Sequence, residues 1–433
     1  MESPSSQAAT MSDASSTSSR STVTRGHGKR LSEEEIRDIL YNDDAMDDDL
    51  DYDPEKDLTQ RSDTSEGKTQ VDDVASAYAL FPYNGDDMAD MEYFQAYFDN
   101  VFMRHLVTET NMYAHTLIDS GILPALRLTR WKATTIDEMY VFLALCMMMK
   151  HSEKAVVQDY WNKDSLVPSP VFNRYVSRDK FHLILRHLHF ENNANEDRRD
   201  RLWKVRKVFS DLRGNFRDYF VPGQNVVIDE LLVLFKGRLA FKQYIPSKRH
   251  CFGLKFFMLC DCETGICLTE PVLNRGHILF TDNYYTSPLL TRYLLAHNTS
   301  ICSTVKVLGK EMPVFGIGIS MGEYQLRKCD NMLSVRWEDR HEVNMLTTIH
   351  TSAMLNNGKV HFYMRNPMYK PDCVIDYNVN MRLVDKCDMM LGGMECVHRS
   401  VKWTKKFFFH LKDDAVLNCF NMYLVKSGRK PSA

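Results

Sequence analysis

The sequence predicts an α+β or α/β protein in which a mixed β-sheet interrupts a helical domain. Apolar residues recur at three- and four-residue intervals in segments between 92 and 220, the spacing of amphipathic helices. From Asn225 the pattern changes to short β-rich runs, and helical spacing returns after Met381. Helices, then strands, then helices again indicate one helical domain split around a sheet-centred domain.

The individual elements follow from the same patterns. The helical segment SRDKFHLILRHLHF begins at Ser177, which we expect to be its N-cap. The aromatic run KWTKKFFFHLKDDAVLNCFNMYLV predicts the last helix, and we expect helical regions 92–220 and 394–426 to pack together. Four runs rich in β-branched and aromatic residues predict strands near 225–235, 238–246, 253–268 and 277–284.

Charge is unevenly distributed along the chain. Residues 1–75 carry 19 acidic against 8 basic residues, a net charge of −11, whereas the remainder has a net charge of +8. Because the acidic segment has too little apolar surface to form a core, we expect residues 1–85 to be a disordered acidic tail. A basic body suits a polyanionic partner, although a moderately charged surface is also common.

Composition also bears on the cellular compartment. No apolar run approaches the roughly 18 residues that span a bilayer, and the first residues lack the layout of a signal peptide. The 11 cysteines are scattered, with no CxxC pair, so we expect reduced thiols and no zinc site. These features predict a nuclear protein without a membrane partner.

Two basic stretches are candidates for phosphate contact. The sequence leaves open whether the first is a DNA-binding face or only a solvated basic one. Its candidate residues are Arg198, Arg199, Arg201, Lys204, Arg206 and Lys207. The second stretch follows the first predicted strand and contains Lys236, Arg238, Lys242, Lys248 and Arg249.

Four aspartates lie in places where a carboxylate is unusual or grouped. Asp229 interrupts the apolar strand VVIDELLV, and Asp282 follows the strand HILF. A carboxylate in such a strand is costly to bury unless it is paired. Asp385 and Asp388 are three residues apart in a predicted helix and project from one face. Each alone could be a strand-end acid, a helix cap or a solvated charge.

Together the four acids suit a two-metal phosphodiester site. Mg²⁺ and Mn²⁺ prefer carboxylate oxygens. Two such ions about 4 Å apart can activate an attacking oxygen and stabilise a leaving one. The sequence therefore predicts a catalytic group of Asp229, Asp282, Asp385 and Asp388, with Mg²⁺ or Mn²⁺ as cofactor.

Three segments of this region resemble the piggyBac family of DDE transposases. They are IDELLVLFKGRLAFKQYIPSKRHCFGLKFFMLCDCETG, HILFTDNYYTSPLLTRYLL and DYNVNMRLVDKCDMM. The resemblance implies an RNase-H-like mixed-sheet catalytic core, inserted in a helical dimerisation and DNA-binding domain, that cleaves and joins DNA at TTAA. By this resemblance, Asp229, Asp282 and Asp388 are the metal ligands and Asp385 supports the site. The implied partners are double-stranded DNA and a second copy of the chain, with no small-molecule substrate.

The resemblance also implies the domain boundaries. After the tail come a helical part, a catalytic core, a β-rich insertion, the acidic helix of the core and a second helical part. Their ranges are 86–222, 223–303, 304–372, 373–393 and 394–433.

Three departures from the family bear on activity. Arg382 and Leu383 stand where the family has two glycines, and no Cys/His-rich module follows the last helix. The crossover from Leu268 to the strand before Asp282 has only the eight residues EPVLNRGH. A parallel crossover normally needs a dozen or more residues, usually a helix. We therefore expect Asp229 and Asp282 to be misaligned and strand cleavage to be impaired, with a fully active transposase as the alternative.

Overall fold

The computed structural model describes residues 87–120, 130–163, 168–246, 248, 250–268, 272–316, 318–360, 367–395 and 402–427. The predicted acidic tail, residues 1–85, and Arg249 therefore lie outside the described residues. No helix within the described ranges is both long and apolar enough to cross a membrane.

The described chain contains ten α-helices and eleven β-strands. The helices are Asp87–Tyr97 (α1), Asn100–Asp119 (α2), Ile136–His151 (α3), Pro170–Tyr175 (α4), Arg178–His187 (α5), Trp203–Tyr219 (α6), Pro288–Ala296 (α7), Asp372–Asn380 (α8), Arg382–Met394 (α9) and Trp403–Lys426 (α10). The strands are Asn225–Leu234 (β1), Gln243–Tyr244 (β2), Phe252–Asp261 (β3), Cys267–Leu268 (β4), Ile278–Thr281 (β5), Ser300–Thr304 (β6), Tyr324–Cys329 (β7), Met332–Glu338 (β8), Glu342–Thr347 (β9), Met354–Val360 (β10) and Pro367–Pro371 (β11).

Side-chain caps fix where the helices of the first helical region begin. The Thr135 hydroxyl accepts from the Glu138 amide, and the Glu138 carboxylate accepts from the Thr135 amide, which makes a capping box at the start of α3. Ser177 caps α5 by accepting from the Lys180 amide at 3.3 Å, so the predicted N-cap is confirmed.

The central sheet is mixed, as predicted. Its strand order is β2-β3-β1-β5-β6-β9-β8-β7, with β4 paired to β3. Strand β3 runs antiparallel to both β1 and β4, whereas β5 runs parallel to β1 and β6 parallel to β5. The order β4-β3-β1-β5-β6 is the five-strand arrangement of RNase-H-like folds.

The observed strands are shorter than two of the predicted ones. The expected strand 238–246 is reduced to the two residues of β2. The expected strand 253–268 is a hairpin, because Asp261 accepts from both the amide and the hydroxyl of Thr264 and turns the chain between β3 and β4. Carboxylate-closed turns of this kind are a frequent use of aspartate.

The short crossover does not prevent the parallel pairing of β1 and β5. Asn225, Val226 and Val227 lie opposite residues 278–280, and the Ile278 amide donates to the Gln224 carbonyl at 2.8 Å. The expectation of an incomplete scaffold is therefore wrong for this pairing. Residues 269–271 of the connection lie outside the described ranges. Val272 and Leu273 pack with Leu294 of α7 on the sheet face that carries Val226 and Leu279.

The two faces of β1 have different coverings. One face presents Val227, Asp229 and Leu231 to α9 and α10, where Phe256 of β3 stacks on Phe407 with ring centroids 5.1 Å apart. The other face is only partly covered, since Phe257 of β3 remains 62% exposed. A full crossover helix would normally lie on that second face.

The two helical regions form one core, as predicted. The Tyr97 hydroxyl of α1 contacts the Met422 sulfur of α10 at 2.7 Å, and the rings of Phe190 and Phe408 lie 4.8 Å apart. Helix α10 is buried along most of its length because it packs against both the other helices and the sheet. The exact domain boundaries remain a prediction.

The predicted β-rich insertion contributes to the central sheet. Strand β9 pairs antiparallel with β6 and carries β8 and β7 outward, whereas β10 and β11 form a separate two-stranded sheet. The expected acidic helix is two helices, α8 and α9, with the break at Met381. The Arg382 side chain at this break donates to the Asn378 carbonyl, and Leu383 packs on the core.

One buried amide joins α10 to the hairpin. Asn418 is fully buried, and its side chain accepts from the Cys267 amide at 2.8 Å and donates to the Cys267 carbonyl at 3.1 Å. The side chain thus serves the two backbone groups that a neighbouring strand would serve.

We expect Asn418→Leu to destabilise the protein by about 2–4 kcal/mol, because both backbone groups of Cys267 lose their partners in the core. Urea denaturation followed by circular dichroism measures the change. The matched control is Asn378→Leu at an exposed position of α8, where we expect less than about 0.5 kcal/mol. Equal effects of the two substitutions would contradict this account.

Candidate active site

The parallel register of β1 and β5 brings two of the predicted acids together. Val227 lies opposite Phe280, so Asp229 and Asp282, each two residues further along, lie side by side at the ends of these pairings. Glu230 joins them, and one carboxylate oxygen from each residue lies within 4.8 Å of the others. Among the described residues, Asp229, Glu230 and Asp282 form the group of side chains that could hold a metal ion.

Asp229 is the most buried of the three, at 7% exposure. One of its oxygens accepts from the Glu230 amide at 2.8 Å, and the other accepts from the Lys248 ammonium at 3.0 Å. Burial raises the pKa of Asp229, although the Lys248 charge acts in the opposite direction. The buried carboxylate is thus paired, as a charge in an apolar strand requires.

Glu230 is a member of the site that the sequence reasoning missed. Burial acts to raise its pKa, but the hydrogen bond from the Tyr285 hydroxyl and the nearby Lys255 charge outweigh this effect and lower the pKa. The Tyr285 hydroxyl donates to the Glu230 carboxylate at 2.7 Å. Neighbouring strand residues point to opposite faces, so alternation alone placed Glu230 away from Asp229. The adjacent pair Asp-Glu in an apolar strand was the available signal.

Hydrogen bonds fix the chain around Asp282. Its carboxylate accepts from the Tyr284 amide at 2.8 Å, and its carbonyl accepts from the Thr286 hydroxyl at 2.9 Å. The hydroxyl groups of Thr286, Thr281 and Ser303 contact one another in a buried cluster between β5 and β6. The turn that carries Asp282 is therefore anchored to the sheet.

The two helix acids are placed differently from each other. Both lie on α9, and the Asp385 carboxylate accepts from Lys248 at 3.2 Å while remaining 67% exposed. Asp388 is half-buried, and its oxygens are not in the group formed by Asp229, Glu230 and Asp282 among the described residues. Its role as a metal ligand stays a prediction.

The predicted basic residues divide into paired and exposed sets. Arg206 makes two hydrogen bonds of 2.7 Å with Asp200, which holds the pKa of that carboxyl below its ordinary value. Lys207 pairs with Asp211 at 2.7 Å, and Arg198 pairs with Glu196 at 3.1 Å.

Lys204 does not lie on the exposed face expected for it, because its side chain is buried against Trp203. The Lys242 ammonium, which is half-buried, donates to two backbone carbonyls. Besides the ion-paired Arg198, Arg206 and Lys207, the exposed residues of the two predicted basic stretches are Arg199, Arg201, Lys236 and Arg238.

An exposed aromatic surface borders the acids. Tyr284 and Phe257 are 64% and 62% exposed, and the Lys255 ammonium lies 4.7 and 4.9 Å from their ring centroids. The Lys306 ammonium lies 5.7 Å from the Tyr284 ring. Aromatic faces combined with cations are a surface chemistry suited to nucleobases and phosphates.

The donor set of the acid group fits a hard divalent cation. Carboxylate oxygens are the ligands that Mg²⁺ and Mn²⁺ prefer, and Asp229, Glu230 and Asp282 supply one such oxygen each within 4.8 Å of the others. This strand order with acids gathered at its two central parallel strands defines a protein of the RNase-H-like class.

Comparison with known proteins identifies the family. The family model described as Transposase IS4 matches residues 89–268 and 266–420, more than half of the chain. The chain therefore belongs to this family of DDE transposases, and the predicted resemblance to piggyBac transposases is confirmed.

Two curated human relatives support this assignment. PiggyBac transposable element-derived protein 3 is 22% identical over 353 residues, which cover 72% of this chain and 57% of that protein. PiggyBac transposable element-derived protein 2 is 20% identical over 393 residues, which cover 78% of this chain and 62% of that protein. The chain thus spans less than two thirds of either relative.

A solved structure has the same fold. The cryo-EM structure of a piggyBac transposase synaptic complex with hairpin DNA aligns with a TM-score of 0.67 at 21% identity. The alignment covers 79% of this chain and 77% of that one.

Proposed function

We propose that this protein binds double-stranded DNA and cleaves and transfers its strands by metal-dependent chemistry at the acid group. The observation that supports this most directly is the convergence of Asp229, Glu230 and Asp282 at the paired parallel strands. The family assignment agrees with this chemistry. The proposal includes that the DNA strands are cleaved and joined at TTAA sites.

The acidic residues and their hydrogen-bond partners have different roles in this proposal. Asp229 and Asp282 would hold the ions, and Asp388 would supply a ligand from α9. Two bound Mg²⁺ or Mn²⁺ ions would activate the attacking oxygen and stabilise the leaving oxygen. Tyr285 keeps the Glu230 carboxylate ionised beside them by donating its hydroxyl hydrogen. The hydroxyl cluster at Thr286 keeps Asp282 in place, which matters because a displacement of about 1 Å can cost roughly a hundredfold in rate.

We expect the purified chain, given Mg²⁺ or Mn²⁺ and DNA with family-type ends beside TTAA, to produce nicked strands on a denaturing gel. Asp229→Asn and Asp282→Asn should each lower the rate by roughly a hundredfold or more, since each replaces a charged carboxylate ligand with a neutral amide. The matched control is Asp339→Asn, which breaks an ion pair with Lys370 away from the acids. Cleavage that Asp229→Asn leaves unchanged would refute this assignment.

A second candidate function is DNA binding without cleavage. The position of Asp388 outside the oxygen group favours it, as does the Lys248 ammonium on Asp229. A folded chain that binds DNA with the expected salt dependence but produces no nicks under either metal would establish this alternative.

We expect duplex DNA affinity to fall steeply with salt, because phosphate contacts release counterions. The double substitution Arg199→Ala and Arg201→Ala should reduce the slope of log affinity against log salt by about two units, one for each lost contact. Fluorescence anisotropy on a labelled duplex measures the slope. Lys310→Ala with Lys328→Ala, at exposed positions of the insertion, is the charge-matched control. Equal slopes for both double variants would show that the first stretch is only a solvated face.

We expect the aromatic surface to bind unpaired bases. Because stacking on an aromatic ring contributes about 1–3 kcal/mol per base, Tyr284→Ala should weaken binding of a short single-stranded thymidine oligonucleotide by at least about fivefold. Duplex affinity should change little, since paired bases offer no free face. Tyr369→Ala, at a similarly exposed ring on β11, serves as the control. Equal losses for single strand and duplex would assign Tyr284 to backbone contact instead.

Homodimer formation and a nuclear location complete the proposal. Both rest on the family resemblance and on the DNA substrate proposed above. Sedimentation velocity of the purified chain tests the dimer, and imaging of the tagged chain in cells tests the location. A monomer at micromolar concentration or exclusion from the nucleus would contradict the respective part.

A further inference from the structure

A lysine side chain lies between two of the acids. The Lys248 ammonium donates to the Asp229 carboxylate at 3.0 Å and to the Asp385 carboxylate at 3.2 Å. The Lys248 side chain is 14% exposed, so this bridge is largely shielded from water on the lysine side. It joins the central strand β1 to helix α9, which carry Asp229 and Asp388, two of the three predicted ligands.

Backbone hydrogen bonds of the residues described between β2 and β3 place this lysine at the site. Between β2 and β3 the Ile245 amide donates to the Cys251 carbonyl at 2.9 Å, and the Lys248 amide donates to the Ile245 carbonyl at 3.3 Å. The pairing of Tyr244 with Phe252 closes the base of the loop. The lysine therefore extends from an anchored hairpin rather than from a free segment.

Grouped carboxylates need a cation nearby. Like charges at such short range repel each other, and the repulsion grows as the site becomes drier. At Asp229 the Lys248 ammonium supplies the compensating charge, and it engages the oxygen that the Glu230 amide leaves available.

A lysine and a divalent ion have conflicting demands on these oxygens. The ammonium has three donors and no acceptor, so it can only occupy the lone pairs of the carboxylates. A hard cation at Asp229 needs the same lone pairs and is repelled by the ammonium charge.

We propose that Lys248 is a built-in counter-ion that competes with the divalent metal ion for Asp229 and Asp385. It keeps β1 and α9 together in the metal-free protein, and it leaves the carboxylates when a metal ion binds. This inference rests on the proposed function only in taking a divalent ion as the ligand of the acid group. Lys248 is then a residue that sets metal affinity rather than a ligand.

The test measures Mn²⁺ affinity by isothermal titration calorimetry on the full chain without DNA. We expect Lys248→Met to bind Mn²⁺ at least about tenfold more tightly than the unaltered chain, because a charge-assisted hydrogen bond no longer opposes binding. Lys248→Arg keeps a cation on the acids and should retain weak binding.

The matched control is Lys370→Met. Lys370 pairs with Asp339 at 2.9 Å away from the acid group, and its side chain is 20% exposed, close to the value for Lys248. Its removal changes the net charge by the same amount and should leave Mn²⁺ affinity unchanged. Mn²⁺ affinity that rises equally in both variants would assign the effect to net charge and overturn the proposal, as would unchanged or weaker binding by a folded Lys248→Met variant.

A second measurement needs no variant. Acetylation of lysines in the unaltered chain, followed by mass spectrometry, should modify Lys248 slowly without metal and several-fold faster with saturating Mg²⁺. The acetylation rate of Lys370 should not respond. If Mg²⁺ leaves the Lys248 rate unchanged, the lysine does not leave the carboxylates and the proposal fails.

The outcomes separate this inference from the proposed function. Tighter Mn²⁺ binding by Lys248→Met without any DNA cleavage supports the competition and rejects strand cleavage. Cleavage that depends on Asp229 together with unaltered Mn²⁺ affinity in Lys248→Met supports the function and rejects the competition.

Discussion

The pairing of β1 with β5 is the constraint on which the rest of the site depends. Only residues 225–227 and 278–280 are in register, yet this short parallel pairing decides that Asp229 and Asp282 end up adjacent. Strand β6 continues the same direction and anchors the Asp282 turn through Ser303. Without this pairing the strands that carry the two acids would not be neighbours, and no side-chain adjustment could bring the acids together.

Gathering acids on a buried strand creates an electrostatic problem that the neighbouring residues solve. Tyr285 and Lys255 keep Glu230 ionised, and Lys248 compensates Asp229. Breaking one partner of such a buried pair is costly, because the remaining charge stays in a poorly polarisable environment. A substitution at any one of these residues therefore changes the electrostatic environment of the others. Because the same contacts act on both properties, metal affinity and the stability of the fold are coupled.

The connection between β4 and β5 is shorter than the dozen or more residues that a parallel crossover normally needs, yet the strands are aligned. Eight residues cannot form a covering helix, and the inference that the scaffold was broken followed from that rule. Alignment of two strands needs only a connection long enough to reach, about 27 Å for eight extended residues. The covering is supplied instead by α7, with Leu290 and Leu294, and by Val272 and Leu273, while Phe257 stays exposed where cover is missing.

The sequence by itself determined the fold class, the succession of helices and strands, the position of Asp229 within a strand, and the family, because these depend on local periodicity and on motifs. Tertiary structure alone decided which side chains meet. It brought Glu230 into the acid group, placed Lys248 on Asp229 and Asp385, buried Lys204 and left Asp388 outside the oxygen group. Such contacts join residues as far apart as 137 positions, and their distances follow from how strands and helices pack, which no local pattern of residues encodes.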